Sequence, residues 1–397
     1  MSRIVFVLTQ SLDSPSGLGR YGPLARELTQ RGHEIELLAL HPDWTSLSNP
    51  KYTDNGVKVH YVSQMHVRKT GSHKSYFSPT RLLMVSFLAT WRLAQGLRQS
   101  SADIIQLGKA QPFNVLAARL AGRGRAVFCD CDDYEAETNR FSSQWQKTLV
   151  RACEDSIVKF VKGITVNTQF TQERYANLGF PSERIVYVPN GVERSRFATI
   201  PPLDLRKQWG IPEQVPLIMY VGTLGRASHP VDLLLQAFSL INQREPDAHL
   251  MLVGGGEDFD LLQGMAKELG LGNQVVFCGR VPPDTIPAYL AEATVTVDPV
   301  YDDLTARARS PLKLLESLAL GVPVVTGDVG DRRTLLGGGA SGCLVAPGDS
   351  QALAEGILTI LQNTHYWQQL HTAALKQREH WYWDQLVHTF VQVYKWA

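Results

Sequence analysis

The sequence predicts an α/β protein of two doubly wound, parallel-sheet domains, and three observations carry that expectation. At 397 residues the chain is too long for one ordinary core and suits two domains of similar size. Arg3–Leu8 is a short apolar run leading through a glycine-bearing loop into a helix and a second apolar run, the strand–helix–strand unit of a parallel sheet. After a proline- and charge-rich stretch, 193–216, the same order starts again at Leu217. The expected division is 1–198 for the first domain, 199–375 for the second, and 376–397 for a C-terminal helix packing back on the first.

The first strand enters the loop 9–19, which holds Ser14, Pro15, Ser16, Gly17 and Gly19. A helix is expected from about Arg20 to Arg31, closed by Gly32, and 34–40 reads as the second strand. The loop is not a full dinucleotide fingerprint, because a third glycine at the right spacing and an acidic residue ending the second strand are both missing. What Gly17 and Gly19 do permit is close approach of backbone to a ligand. Further strands are expected at 57–62, 103–107, 126–130, 163–167 and 184–188. The strand at 126–130 ends in a dense acidic run, Asp130, Asp132, Asp133, Glu135 and Glu137. Such a run can bind a hard cation, tune a carboxyl pair for proton work, or merely crowd a helix N-terminus whose dipole favours acids. Pro189, Asn190 and Gly191 then mark a turn. In the second half, strands at 217–221, 249–253, 274–278 and 294–298 are followed by loops carrying Gly222, Gly225, Gly254 and Gly279, with a helix over about 231–243. The tail beyond 352 reads as helical, and Trp381, Trp383, Phe390 and Trp396 suit a packed face.

The stretch from Asp298 to Thr326 is organised as strand end, long loop, short helix and strand. Ser310 is expected to cap the helix, Pro311 to occupy its first turn, and Gly321 to end it. Leu312, Leu315, Leu318 and Ala319 form the apolar face, and Ser310, Lys313, Glu316 and Ser317 share the other. A helix N-terminus with a lysine in its first turn is an anion site. One turn on, a glutamate is suited to accept hydrogen bonds from a ribose diol. Phosphate beside ribose means a nucleotide; the plainer alternative is an amphipathic helix with two solvated charges.

Composition narrows the class. An apolar fraction of 44%, a charged fraction of 19% and a net charge of +1 describe a globular protein with no general affinity for nucleic acid. Five cysteines, an odd number, read as reduced thiols of a cytoplasmic protein. No secretory leader is expected, since Arg3 is followed at once by a strand-like run. Between Asp54 and Asp103 there is no acidic residue, while Lys58, Arg68, Lys69, Lys74, Arg81, Arg92 and Arg98 are interleaved with aromatic and aliphatic residues. The segment 58–98 is read first as a helix packed on the sheet with a solvated basic edge. The alternative is a peripheral contact with anionic lipid at the inner membrane face.

Taken together, VGTL, VDLLLQAF, LMLVGGGED, VFCGRVPPDTIPAYLAEATVTVDPV, SPLKLLESLALGVPVVTGDVG and GCLVAPGDSQALAEGI in the second half, with ITVNTQFTQERYANLGFPSERIVYVPNGVERSRF in the first, resemble the family 4 glycosyltransferases over nearly the whole chain. That family has the GT-B fold, two Rossmann-like domains facing across a cleft. The resemblance implies transfer of a sugar from a nucleoside diphosphate, UDP- or GDP-linked, to a carbohydrate or lipid-linked acceptor hydroxyl, with retention at the anomeric carbon and no cofactor or metal. By the same resemblance Glu316 holds the ribose, Ser310 and Lys313 lie near the diphosphate with Pro311 and Leu312 at the same helix start, Arg280 and Val281 meet the base, and Gly17, Gly19 and Gly254 bring backbone to the donor. Two departures stand out. Ala308 replaces the first glutamate of a frequent pair eight residues apart. Thr223 and Ser228–His229–Pro230 replace a usual arginine and lysine–glycine, leaving Arg226 as the nearby substitute. Because the leaving group is a diphosphate, fixed donors and cations lower the barrier; Lys313, Arg226 and the helix N-terminus at Ser310 and Pro311 are the candidates, and the acidic cluster Asp130, Asp132 and Asp133, with Asp132 foremost, is expected to face the site and bind the acceptor hydroxyl. Rival readings are a non-catalytic nucleotide-sugar binder, suggested by Ala308 and Thr223, a nucleotide-sugar epimerase or hydrolase of the same fold, and an NAD-dependent oxidoreductase.

Overall fold

The computed structural model describes residues 1–70, 73–122, 124–139, 141, 143–200, 202–226 and 229–397; Ser228 and the side chains of Lys69 and Lys74 lie outside the described residues. The chain divides into two compact units. One comprises Met1–Gly191, Ala308–Ser310 and Trp383–Ala397, and the other Val192–Arg307 and Pro311–Tyr382.

In the first unit the strands are β1 (Arg3–Leu8), β2 (Glu34–His41), β3 (Lys51–Asp54), β4 (Val57–Gln64), β5 (Val67–Thr70), β6 (His73–Tyr76), β7 (Ile104–Gly108), β8 (Ala126–Cys131), β9 (Gly163–Val166) and β10 (Ile185–Tyr187). β5 and β6 pair as a separate hairpin. The other eight form one sheet in the order β10-β9-β8-β7-β1-β2-β4-β3, parallel except for β3 against β4. The apolar run Ile4–Leu8 is fully buried, as a central parallel strand covered on both faces must be. Gly17–Tyr21 forms a π-helical turn running directly into the helix Gly22–Gln30, so Arg20 and Tyr21 sit on a widened turn rather than at a regular helix start. At the other end of the chain, Trp383 and Phe390 are buried in this unit and the Trp383 indole N–H donates to Gly19 O at 3.0 Å.

The second unit holds β11 (Leu217–Val221), β12 (His249–Val253), β13 (Val275–Gly279), β14 (Val295–Asp298), β15 (Val324–Gly327) and β16 (Cys343–Val345). All are parallel, in the order β13-β12-β11-β14-β15-β16. The junctions differ from the expected 198/199 and 375/376. Val192 bridges Tyr382 in parallel and donates its N–H to Trp381 O at 3.0 Å, which draws both crossing segments into the second unit. All five cysteines are free thiols. Among the described residues no helix is long and apolar enough to cross a membrane.

Candidate functional site

In an open parallel sheet, ligands bind beyond the carboxyl ends of strands where the strand order reverses. In the second unit that point lies between β11 and β14, and Asp298, the last residue of β14, marks it. The helix Leu312–Ala319 starts beside it, held by buried Leu314, Leu315, Leu318 and Ala319. Gly321 ends the helix with φ +72°, where a Cβ would meet the His371 ring at 2.7 Å. Lys313 reaches back so that Nζ lies 3.2 Å from Asp298 Oδ1 and 4.4 Å from the centre of the Tyr220 ring. Arg332 Nε donates to Asp298 Oδ2 at 2.9 Å. Burial alone would raise the Asp298 carboxyl; Arg332 and Lys313 outweigh it and hold the group well below the usual carboxylate range.

Bare backbone surrounds that lysine. A Cβ on Gly222 would come within 3.2 Å of Lys313 Nζ, and one on Gly254, at φ +146°, within 1.8 Å of Gly222 O. Beyond Gly254, a Cβ on Gly255 would meet Arg280 Cγ at 3.0 Å. A fixed ammonium at a helix N-terminus, beside glycine loops at the sheet's switch point, suits a diphosphate. One turn along the helix, Glu316 is buried and takes a hydrogen bond from Arg196 Nη1 on Oε1 at 2.6 Å. Burial raises its carboxyl above the ordinary range, against the pull of Arg196 and then Lys313. The other arm of Arg196 donates to Pro283 O at 2.8 Å, two residues past Val281, so the expected ribose and base residues are joined through one guanidinium.

Three expectations are corrected here. The helix starts at Leu312 with Pro311 as its cap and no side-chain cap bond. Ser310 does not cap it: its hydroxyl accepts the Asn190 N–H at 3.0 Å and its carbonyl accepts Asn190 Nδ2 at 2.8 Å. The polar face of the helix is not solvated, since Glu316 and Ser317 are buried and the Thr296 hydroxyl donates to Ser317 Oγ at 2.8 Å. Arg226 points to its own acids, pairing with Asp232 at 3.0 Å while its N–H donates to Asp258 Oδ2 at 2.7 Å. Asp298, Arg332 and Arg196 escaped the reading by sequence; only the position of Asp298 at a strand end hinted at its place.

The first sheet reverses its order between β1 and β7. The turn bearing Gly17 and Gly19 follows β1, and Gly17 admits no side chain, since a Cβ would lie 2.3 Å from Ser11 O. Lys109 follows β7 with φ +71°, and Nζ sits 2.9 Å from Asp132 Oδ1, 2.9 Å from Asp133 Oδ2 and 2.5 Å from Glu135 Oε1. Those three carboxylates could otherwise converge on a metal ion; here the lysine ammonium stands at their focus. The Asp132 carboxyl is pushed up to about 7 by burial, with Asp133, Asp130 and Glu135 adding to the rise and Lys109 opposing it. Asp132 is 4% exposed and committed to Lys109, so the acceptor-binding role expected of it is corrected: Asp133 is the more open member. Asp130, expected to face the site, is fully buried and holds Arg20 with bonds of 2.6 and 2.7 Å and the Thr165 hydroxyl at 2.5 Å. It supports the Gly17–Tyr21 turn from beneath. Lys109 and Arg20 were not picked out in the sequence, because the carboxylates they hold lie 23 to 110 residues away.

Comparison with known proteins agrees with this geometry. Residues 16–191 match the sequence model of the glycosyl transferase 4-like domain, and residues 203–377 that of glycosyl transferases group 1. A GDP-mannose-dependent alpha-(1-6)-phosphatidylinositol monomannoside mannosyltransferase of Mycolicibacterium smegmatis is 26% identical over 338 residues, 83% of this chain and 82% of that protein. A D-inositol 3-phosphate glycosyltransferase of Acidothermus cellulolyticus is 28% identical over 61% of this chain and 55% of its own. Among solved structures, a sucrose-phosphate synthase of Thermosynechococcus elongatus superposes with TM-score 0.78 at 18% identity, covering 100% of this chain and 98% of that one. Anabaena HepE in complex with UDP-glucose superposes with TM-score 0.75 at 21% identity, covering 100% and 99%. These structures share the fold. With both halves of the chain matched in order, the protein belongs to the family 4 retaining glycosyltransferases of the GT-B fold.

Proposed function

We propose that this glycosyltransferase seats a UDP- or GDP-linked sugar on the second unit and passes the sugar to a lipid-linked acceptor presented at an anionic membrane surface. The observation that carries the donor half is the Lys313–Asp298–Arg332 arrangement beside Gly222 and Gly254, with Glu316 one turn on. The diphosphate lies at the start of the helix Leu312–Ala319, the ribose on Glu316 and the base along Arg280 and Val281. As the glycosidic bond to the diphosphate breaks, negative charge grows on the leaving oxygens, and Lys313 meets it with the helix N-terminus. The diphosphate itself takes the acceptor proton, so no metal and no separate base are required.

The acceptor half rests on the helix Pro79–Gln99. It buries Val85, Ala89, Leu93 and Leu97 against the first sheet and exposes a second apolar face at Leu83, Met84, Phe87 and Trp91, 53–69% accessible. Arg81 lies over Phe77, just ahead of the helix, and Arg98 over Trp91. A solvated basic edge alone would not leave such residues bare; an apolar stripe flanked by arginines suits a lipid interface. The lipid substrate in the name of the Mycolicibacterium relative favours the same reading.

A thermal-shift panel of UDP, GDP, ADP and their sugars tests the donor half. One base should stabilise the protein by about 2.7 kcal/mol at a hundredfold excess over its dissociation constant, and Glu316→Ala should abolish the shift. No shift with any of them overturns the reading. For the acceptor half, wild type should sediment with phosphatidylglycerol vesicles and a Leu83, Phe87, Trp91→Ser variant should not; equal sedimentation removes the membrane surface.

A further inference from the structure

The guanidinium of Arg196 touches both sides of the proposed nucleoside seat. It comes from the short helix Arg194–Ala198, just past the turn at Asn190 and Gly191. Nη1 donates to Glu316 Oε1 at 2.6 Å and Nη2 to Pro283 O at 2.8 Å. Glu316 lies on the helix that starts at the diphosphate seat, and Pro283 on the loop after β13 that carries Arg280 and Val281. The fork therefore sets the distance and angle between the carboxylate and that loop. It also occupies only one oxygen of Glu316, so Oε2 carries no hydrogen bond from the described residues.

We infer that Arg196 is a positioning residue for nucleotide recognition, holding Glu316 turned so that its second oxygen accepts the ribose diol, and holding the 280–283 loop at the base. This rests on the proposal that Glu316 takes the ribose. Three physical points support it. A carboxylate 7% exposed loses hydration that only a partner can replace, and Arg196 is the closest cation to it. A guanidinium holds two acceptors in fixed directions at once, which the single ammonium of a lysine does not. And the two acceptors belong to elements whose relative position decides whether base and ribose can be held together. The charged groups acting on Glu316 are Arg196 and, from its own helix, Lys313.

The test is isothermal titration of UDP and GDP, with steady-state kinetics on the matching sugar nucleotide, for wild type, Glu316→Gln, Arg196→Met and Arg196→Lys between pH 6 and 8.5. Loss of a charged hydrogen bond should weaken the preferred nucleotide about 10- to 100-fold in Arg196→Met. Donor KM should rise in step, with kcat held within about threefold. The defect should be larger at pH 6 than at pH 8.5, because Glu316 without Arg196 protonates at higher pH and a protonated carboxyl is the poorer diol acceptor. Arg196→Lys, which keeps a cation near Glu316 but loses the Pro283 bond, should lie between and show the wild-type pH dependence; it carries the test if Arg196→Met does not fold. If Glu316→Gln loses affinity while both Arg196 variants bind within twofold of wild type, the inference is overturned and the ribose assignment survives. If Glu316→Gln itself binds normally, the ribose assignment fails and takes the inference with it.

Discussion

Replacing Lys313 by methionine removes the cation facing the leaving group while keeping a side chain of similar length beside Tyr220. Its two consequences can be sized separately. Asp298 loses Lys313 and keeps Arg332 at 2.9 Å. Losing a sole partner in the interior costs about 3–5 kcal/mol; with Arg332 retained, the cost should be about 1–2 kcal/mol, a fall in Tm of about 2–8 °C. The catalytic loss is larger. A unit charge about 4 Å from a phosphate oxygen is worth about 4 kcal/mol at an effective dielectric of 20, and the part realised only as the bond breaks appears in kcat. A drop of about 10²–10³ in kcat is expected. The assay is nucleoside diphosphate release in the presence of acceptor, with thermal unfolding run beside it. A folded Lys313→Met enzyme whose kcat stays within threefold of wild type would falsify the placement of the diphosphate at this helix.

Three further outcomes are expected. Gly254→Ala should lower Tm by about 5–10 °C, because the new Cβ would lie 1.8 Å from Gly222 O at a φ of +146° that alanine resists; a normal melting curve would mean the two loops part freely. Glu154 is pushed up to about 8, mainly by burial and then by Glu135, with Arg174 and two backbone N–H groups opposing. Its contribution to stability is therefore fully present below about pH 4.5 and is lost as pH rises through about 8, an effect of up to about 5 kcal/mol. Unfolding by urea from pH 5 to pH 8 should show wild type losing stability relative to Glu154→Gln; parallel profiles would count against a protonated Glu154. Finally, donor-induced stabilisation should be the same in EDTA as in magnesium, since Lys313 and Arg332 supply the positive charge at that site, and a requirement for magnesium would refute this.

The two sheets were legible in the sequence because a parallel strand covered on both faces is a short apolar run, and Leu217–Val221, five residues long and followed by glycine, suits a strand better than a helix. The strands missed are those without that signal. β3 is the polar edge strand Lys51–Asp54, β16 has only three residues, and the β5–β6 hairpin is basic rather than apolar. In the site, Lys313 and Glu316 were visible because their spacing is a local, helical property. Their partners were not. Asp298, Arg332 and Arg196 stand between 15 and 120 residues from the groups they hold, and such pairings are set by which strand ends the sheet brings together. The same holds for Lys109: the sequence showed the carboxylates around it as a cluster that a metal could satisfy, and the end of β7 delivered an ammonium instead.

By itself, then, the sequence determined the two-domain α/β class, the family, and the helix on which the donor reading rests, since periodicity, glycine placement and motif order are written along the chain. Only the tertiary structure decided which charges meet. It turned Ser310 away from the helix and onto Asn190, sealed Asp132 behind Lys109, and left Phe87 and Trp91 bare on a helix whose opposite face was already enough to pack it. The physical reason is common to all three: a side chain's partner and exposure depend on distances between elements remote in sequence, and those exist only once the sheets have formed.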